Sequence, residues 1–211
     1  MIVSTPAAVG VAIVALGMVL TPGPNMIYLS SRSISQGRRA GLISLAGVAV
    51  GFGCYLVAAT AGLTAILVAV PVAFTIIKLL GAAYLAYLAW QVLRGAVSTF
   101  KTSELPPDRA RRLFLMGLVT NLLNPKIALM YMALVPQFID PARGPVWAQA
   151  LMLGGIQIAV ALTINFLIVL GSASLAGFLA GRPAWLRAQR WGTGTMLGVF
   201  AAEMATRRAP A

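Results

Sequence analysis

Apolar positions along this chain form long runs separated by short polar segments. Runs of roughly 20 residues are long enough for helices that cross a bilayer, and they lack the alternation of barrel strands. The pattern predicts an all-α membrane protein with six transmembrane helices, and the shortness of the last run leaves a five-span alternative open. The predicted spans are residues 6–35, 41–70, 72–93, 113–138, 147–170 with an extension to 180, and 191–206.

Two of these runs are interrupted by proline near their middle. The sequence T-P-G-P-N, Thr21 to Asn25, divides the first run, and Asn124-Pro125-Lys126 divides the fourth. Because proline has no N–H group, the carbonyls of Met18 and Asn121 lose their helical donors in a low-dielectric region. Gly23 permits the chain to unwind between two prolines. We therefore predict that helices 1 and 4 are broken.

The two breaks occur at corresponding places in two halves of the chain. Each half has three spans, so the second half enters the membrane in the opposite sense and the halves can be inverted repeats. The prediction is a first repeat over residues 1–95, a cytoplasmic linker over 96–112 and a second repeat over 113–211, all in one membrane domain. Transporters with this construction bind substrate near the midplane, between discontinuous helices.

Broken helices offer both kinds of group that a zwitterion needs. Amides at a restarted helix attract a carboxylate, and freed carbonyls accept from an ammonium group. A single proline is more often a satisfied kink, but two matched breaks beside Lys126 favour a site, since a midplane ammonium costs about 3 kcal/mol and is usually functional. The candidate substrate-binding residues are Thr21, Pro22, Gly23, Pro24, Asn25, Asn121, Asn124, Pro125 and Lys126, with Gln157 and Asn165 as weaker candidates that also suit interhelical hydrogen bonds.

A series of glycines follows the first break. Small residues at four-residue spacing allow neighbouring helices to approach closely. This pattern predicts helix packing rather than a pore lining, and such a face is also compatible with a homodimer. The glycines are Gly37, Gly41, Gly47 and Gly51.

Composition and charge narrow the function. The chain of 211 residues is 60% hydrophobic and 9% charged, far from the balance of a soluble domain. Its net charge of +12 comes from basic residues in short loops between apolar runs, where they set orientation, so nucleic acid is not an expected partner. Most of them follow odd-numbered spans, which predicts that those loops are cytoplasmic and that both termini lie outside.

The inventory of reactive residues argues against an enzyme. There is no histidine, one cysteine, Cys54, and four acidic residues. Metal sites, a Ser-His-Asp triad and paired carboxylates are therefore not expected, nor is any cofactor. Two other functions stay open: a membrane thiol-disulfide carrier, which would need paired cysteines, and a non-transporting subunit of a membrane complex.

The chain resembles the lysine exporter (LysE) family of amino-acid efflux proteins, which includes threonine and homoserine exporters. The matching elements are T-P-G-P, the glycine series, and N-P-K followed by P-Q-F between Asn124 and Phe138. The resemblance implies export of small amino acids or their derivatives through the bacterial inner membrane, coupled to protons. It assigns functional roles to Pro22, Gly23, Pro24, Asn124, Pro125 and Lys126.

Overall fold

Every regular element in the described part of the protein is a helix. The computed structural model describes residues 2–69 and 107–180, together with 79–80, 82–83, 86–87, 89–90, 93–94, 191, 195, 198–199 and 201–202, and no strand occurs among them. The α-helices are α1 (Thr5–Leu20), α2 (Pro24–Ala69), α3 (Ala110–Leu122), α4 (Pro125–Leu129) and α5 (Val146–Ala180). A π-helix (Met130–Leu134) and two 3-10 helices (Val135–Phe138 and Pro141–Arg143) lie between α4 and α5.

Helix α1 is separated from α2, and α3 from α4, at the two proline motifs. Thr21 follows α1 in extended conformation (φ −70°, ψ 126°), and Asn124 precedes α4 in a similar one (φ −81°, ψ 105°). A residue before proline is sterically kept out of the α region, while proline itself is well suited to the first turn of a helix. Each motif therefore ends one helix and begins another, and the segments on either side of Asn124 are bent by 48°.

A third interruption lies inside α2. Its 46 residues would extend for about 69 Å if they were straight, more than twice the thickness of the hydrocarbon core. At Gly37 the backbone takes φ 84° and ψ 168°, a conformation that glycine adopts without a steric penalty. Gly37 thus separates the second half of the first predicted span from the second span. No described atom lies within 4 Å of a Cβ built at Gly37, so the described residues give no support to the packing role expected there.

Length and apolar composition identify membrane-spanning helices only in part of the chain. Pro24–Gly62 and Val146–Ser172 are sufficiently long and apolar to span, and Ala110–Leu122 with Pro125–Phe138 makes a third candidate if the bent pair is one span. The apolar α1 is shorter. Most of the predicted spans 72–93 and 191–206 lies outside the described residues, so the count of six stays a prediction.

The closest helix packing joins α2 to α3. A Cβ added to Gly47 would clash with the carbonyl oxygen of Phe114, and one added to Gly117 would clash with that of Ser44, so each helix receives a carbonyl of the other. The remaining glycines of the series also face their own chain, Gly41 towards Val169 and Gly51 towards Asn121. This packing gives no support to a homodimer through the same glycines.

The core lies where α2, the π-helix and α5 meet. Phe52, Tyr131 and Leu153 are at most 1% exposed there. On the outer surfaces, Val57 and Leu123 are 68% and 77% exposed, an arrangement that suits a lipid environment better than water.

The glycine contact predicts a position-dependent effect on stability. Gly47→Ala forces a methyl group against backbone atoms of α3 and should lower the free energy of unfolding by about 1–3 kcal/mol. Gly53→Ala is the matched control, because no described atom lies within 4 Å of its added Cβ and alanine favours a helix. Thermal unfolding of the detergent-purified variants measures both, and equal melting temperatures would contradict the packing.

Candidate functional site

Lys126 joins the two breaks. Its Nζ donates to the carbonyl oxygens of Met18, at 2.6 Å, and Thr21, at 2.8 Å, and the residue is 5% exposed. Gly23 leaves the space that the lysine uses, since a Cβ at that position would lie 3.0 Å from Nζ. Two motifs about a hundred residues apart in the sequence therefore form one structural unit.

Proline chemistry makes the first of these carbonyls available. In a continuous helix the Met18 oxygen would accept from residue 22, but Pro22 has no N–H to donate. The end of α1 is held separately, because the N–H and the hydroxyl of Thr21 both donate to the Gly17 carbonyl, at 3.2 and 2.8 Å. Lys126 replaces the missing helical donor.

At the second break, the backbone groups are hydrogen-bonded by neighbouring residues of the same segment. The Asn121 carbonyl, which Pro125 deprives of a helical donor, accepts from the N–H of Asn124 at 3.0 Å. The side chain of Asn124 in turn accepts from the N–H of Lys126 at 3.1 Å and caps α4. Asn124 therefore fixes the start of the segment that positions Lys126.

A small cavity of about 20 Å³ lies beside this contact. Its volume is enough for about one water molecule and too small for an amino acid, so this conformation has no room for a substrate. The polar residues of its lining are Asn25, Asn124, Lys126, Gln157 and Asn165, and the apolar ones are Ala15, Met18, Val19, Met26, Phe52, Ile127, Met130 and Ala161.

Several polar atoms of this lining have no hydrogen-bond partner among the described residues. They are both amide atoms of Asn25, the Nδ2 of Asn124 and the Oδ1 of Asn165. A buried polar group left unpaired costs about 1–3 kcal/mol, so a cluster of them calls for an explanation. Donors and acceptors in one place match a ligand that carries both kinds of group.

The structure brings together most of the sequence candidates, but not all. Thr21 and Gly23 lie at the Lys126 contact, while Pro22, Pro24 and Pro125 act through the backbone. The weaker candidates Gln157 and Asn165 do line the cavity, with Ala161 between them, because residues four apart share a helix face. Asn121 is buried against Gly51 with both amide atoms unpaired among the described residues and does not line this cavity, so its role in binding stays a prediction.

Two tyrosines support the site and were not found from the sequence. The Tyr131 hydroxyl donates to the Oε1 of Gln157 at 2.6 Å, which fixes the orientation of that amide. Its ring stacks on Tyr55 with centroids 5.9 Å apart, and the Tyr55 hydroxyl donates to the Leu122 carbonyl at 2.7 Å. Tyr131 lies in the π-helix, a geometry frequent at functional sites but invisible to α-helical periodicity.

A second polar cluster connects α2 to the segment before α3. The Asp108 carboxylate forms ion pairs with Arg32 and, at 3.0 Å, with Arg112, and it accepts from the Gln36 amide at 3.0 Å. The N–H of Asp108 donates back to Gln36 Oε1 at 2.9 Å. The Gln36 hydrogen bond and the two arginines lower the pKa of Asp108 below its usual value, so the carboxylate stays ionised at neutral pH. We call Arg32, Gln36, Asp108 and Arg112 the Asp108 latch.

Comparison with known proteins gives one consistent result. Residues 16–208 match the model of the LysE type translocator family. The chain is 34% identical over 168 residues to a homoserine/homoserine lactone efflux protein of Salmonella typhi, covering 80% of this chain and 78% of that protein. It is 33% identical over 129 residues to a leucine efflux protein of Salmonella choleraesuis (60% of each), and 34% identical over 160 residues to an uncharacterized membrane protein of Vibrio cholerae (76% of each). No solved structure gives a significant match.

The unpaired amide of Asn25 predicts an unusual stability effect. Asn25→Leu removes two unsatisfied polar atoms at similar volume and should raise the free energy of unfolding of the empty protein by about 1–3 kcal/mol. Gln149→Leu is the matched control: Gln149 is 1% exposed, but its amide is bonded to the backbone of Asp140 and Gly144, so its loss should destabilise. Melting temperatures of the two variants that shift in the same direction would contradict this account.

Proposed function

Because the chain belongs to the LysE type translocator family, we propose that it exports small neutral amino acids or close derivatives from the cytoplasm across the bacterial inner membrane. Members of this family are efflux transporters and not enzymes, and the relatives named above include efflux proteins for homoserine and leucine. Protons drive the export, and the carrier works by alternating access around the two breaks.

The observation that carries this proposal is the convergence of Lys126, the freed backbone and unpaired amides on one buried cavity. A zwitterion suits the backbone and amide groups: its ammonium binds the carbonyls of Met18 and Thr21, which Lys126 then leaves, and its carboxylate binds the amide N–H groups of Asn25 and Asn124. Such a ligand pairs the groups that are otherwise buried at a cost.

The rest of the lining favours a substrate with an uncharged side chain. Apolar groups such as Phe52 and Met130 would surround that side chain. The cavity lining contains no carboxylate within the described residues, so a second ammonium, as in lysine, would be buried without a counter-charge. The site therefore favours aliphatic or short polar amino acids over dibasic ones.

Alternating access needs a closure on each side of the site. We assign the cytoplasmic closure to the Asp108 latch, which lies where the sequence places basic loops. In the same proposal six spans form two inverted repeats, residues 1–95 and 113–211 joined by a linker over 96–112, and both termini lie outside. The paired breaks and the distribution of arginines support this layout.

Energised uptake into everted membrane vesicles tests the site. Wild-type vesicles should accumulate labelled leucine or homoserine, and Lys126→Ala or Pro22→Ala should reduce the rate at least tenfold. Lys126→Ala removes the ammonium of the carbonyl contact, and Pro22→Ala restores a backbone N–H that competes for the Met18 carbonyl. Val57→Ala, on the exposed surface of α2, is the control and should transport normally. Full uptake by both site variants would rule out the assignment.

The latch makes a separate prediction about accessibility. Asp108→Asn removes the charge that holds Arg32 and Arg112, so the cytoplasmic side should open more often. A cysteine at Ser44, which is buried beside Tyr28 under the latch, reports opening in a Cys54→Ala background. A membrane-impermeant maleimide applied from the cytoplasmic side should label it several-fold faster in Asp108→Asn.

The control for this experiment is an acid in an exposed ion pair. Asp140 and Arg143 are about half exposed, and such pairs contribute little, so Asp140→Asn should not change the labelling rate. Mild acidification should not speed the labelling as Asp108→Asn does. The pKa of Asp108 is lowered, so its carboxylate loses its charge, and its hold on the arginines, only when the pH falls through that lowered pKa. Equal labelling in Asp108→Asn and wild type would exclude the latch as a closure.

A further inference from the structure

The two carbonyl oxygens available to a substrate ammonium are already occupied in this structure. Lys126 Nζ binds the Met18 and Thr21 oxygens at 2.6 and 2.8 Å. We propose, on the basis of the function above, that Lys126 is the proton carrier: its ammonium and the substrate ammonium alternate on this carbonyl pair, so that one amino acid leaves in exchange for one proton.

Geometry makes the two occupants mutually exclusive. The neighbouring cavity of about 20 Å³ has no room for a second ammonium with its amino acid while Lys126 is in place. The carbonyls belong to the end of α1 and the first break, whereas Lys126 belongs to α4. When a substrate ammonium replaces Lys126, the hydrogen bonds that join the two breaks are therefore lost. Mutual exclusion at one site is what coupled antiport requires.

The surroundings explain why a displaced Lys126 would lose its proton. The groups that face the cavity from the packed elements are Asn25 on α2, Asn124 before α4, and Gln157 and Asn165 on α5, and none of these is charged. Tyr131 is the titratable side chain next to this wall, and its hydroxyl is committed to Gln157.

The described carboxylates do not compensate Lys126 either. Asp108 is paired with Arg32 and Arg112, and Asp140 is paired with Arg143. Across the described residues, Lys126 thus has carbonyl acceptors and no counter-charge. An ammonium that loses those acceptors in a buried apolar site is less stable than the neutral amine.

The cycle balances in protons and charge. On the cytoplasmic side the zwitterion takes the carbonyls, and the Lys126 ammonium gives its proton to water and becomes an amine. After release outside, the amine takes a proton from water there and returns to the carbonyls. No bond of the substrate changes. Because the zwitterion is neutral overall and the empty carrier returns with a protonated lysine, one positive charge moves inward per amino acid exported.

Proteoliposomes separate this inference from the proposed function. Exchange of labelled for unlabelled leucine by the wild type tests transport alone, without a gradient. A leucine gradient imposed on vesicles that contain a pH-sensitive dye then tests coupling: wild type should move protons against leucine at a ratio near one.

Two variants locate the proton carrier. Lys126→Met cannot bind a proton, so any leucine flux that it supports should move no protons. Gln157→Leu is the matched control, because it removes another polar group of the same cavity: its apparent affinity for leucine should fall, but its proton-to-leucine ratio should stay that of the wild type.

The binding reaction provides a measurement that does not need an active variant. Leucine binding to purified wild type should release a proton, seen as a binding heat that varies with the ionisation enthalpy of the buffer. Transport by the wild type with no proton release, or a Lys126→Met flux that keeps the wild-type ratio, overturns the inference and leaves the export function standing. Absence of leucine and homoserine exchange in the wild type contradicts the function itself.

Discussion

The structure depends on an ammonium group that replaces a missing backbone donor. Pro22 removes the N–H that would have bound the Met18 carbonyl, and Lys126 supplies an N–H from the other half of the chain. One contact therefore solves two problems of the low-dielectric interior, an unpaired carbonyl and a buried cation. The same contact links the two breaks, because the Met18 carbonyl and the Lys126 ammonium each find their hydrogen-bond partner on the other's segment.

The cavity beside this contact contains polar groups that are incompletely paired, in contrast to the first turn of α5. There Gln149 is buried as well, and its amide is bonded to the backbone of Asp140 and Gly144. Buried amides are therefore paired at one position of this chain and unpaired at others, and the unpaired ones include Asn121, which does not line the cavity. In the proposed function, the unpaired amides of Asn25, Asn124 and Asn165, which share the cavity lining, are available to a ligand at a cost in stability that is typical of binding sites.

The sequence could predict the breaks because proline acts locally: it removes a donor and restricts the residue before it, whatever the rest of the fold does. It could not predict that the breaks meet, since this depends on how α1 packs relative to α4. Spacing alone also grouped Gly37 with the packing glycines, although a positive φ and not a neighbouring helix requires glycine there. The roles of Tyr131 and Asp108 depend on a π-helix and on a contact between distant segments, neither of which has a sequence period.

The reciprocal glycine contact between α2 and α3 has a mechanical consequence. The Phe114 carbonyl sits at Gly47 and the Ser44 carbonyl sits at Gly117, so sliding one helix along the other would drive a carbonyl into the next side chain. We therefore expect the parts of α2 and α3 around these glycines to resist sliding along each other. Motion of α2 relative to α3 would then be a rotation about this contact, and the contact would serve as a pivot in the proposed transport cycle.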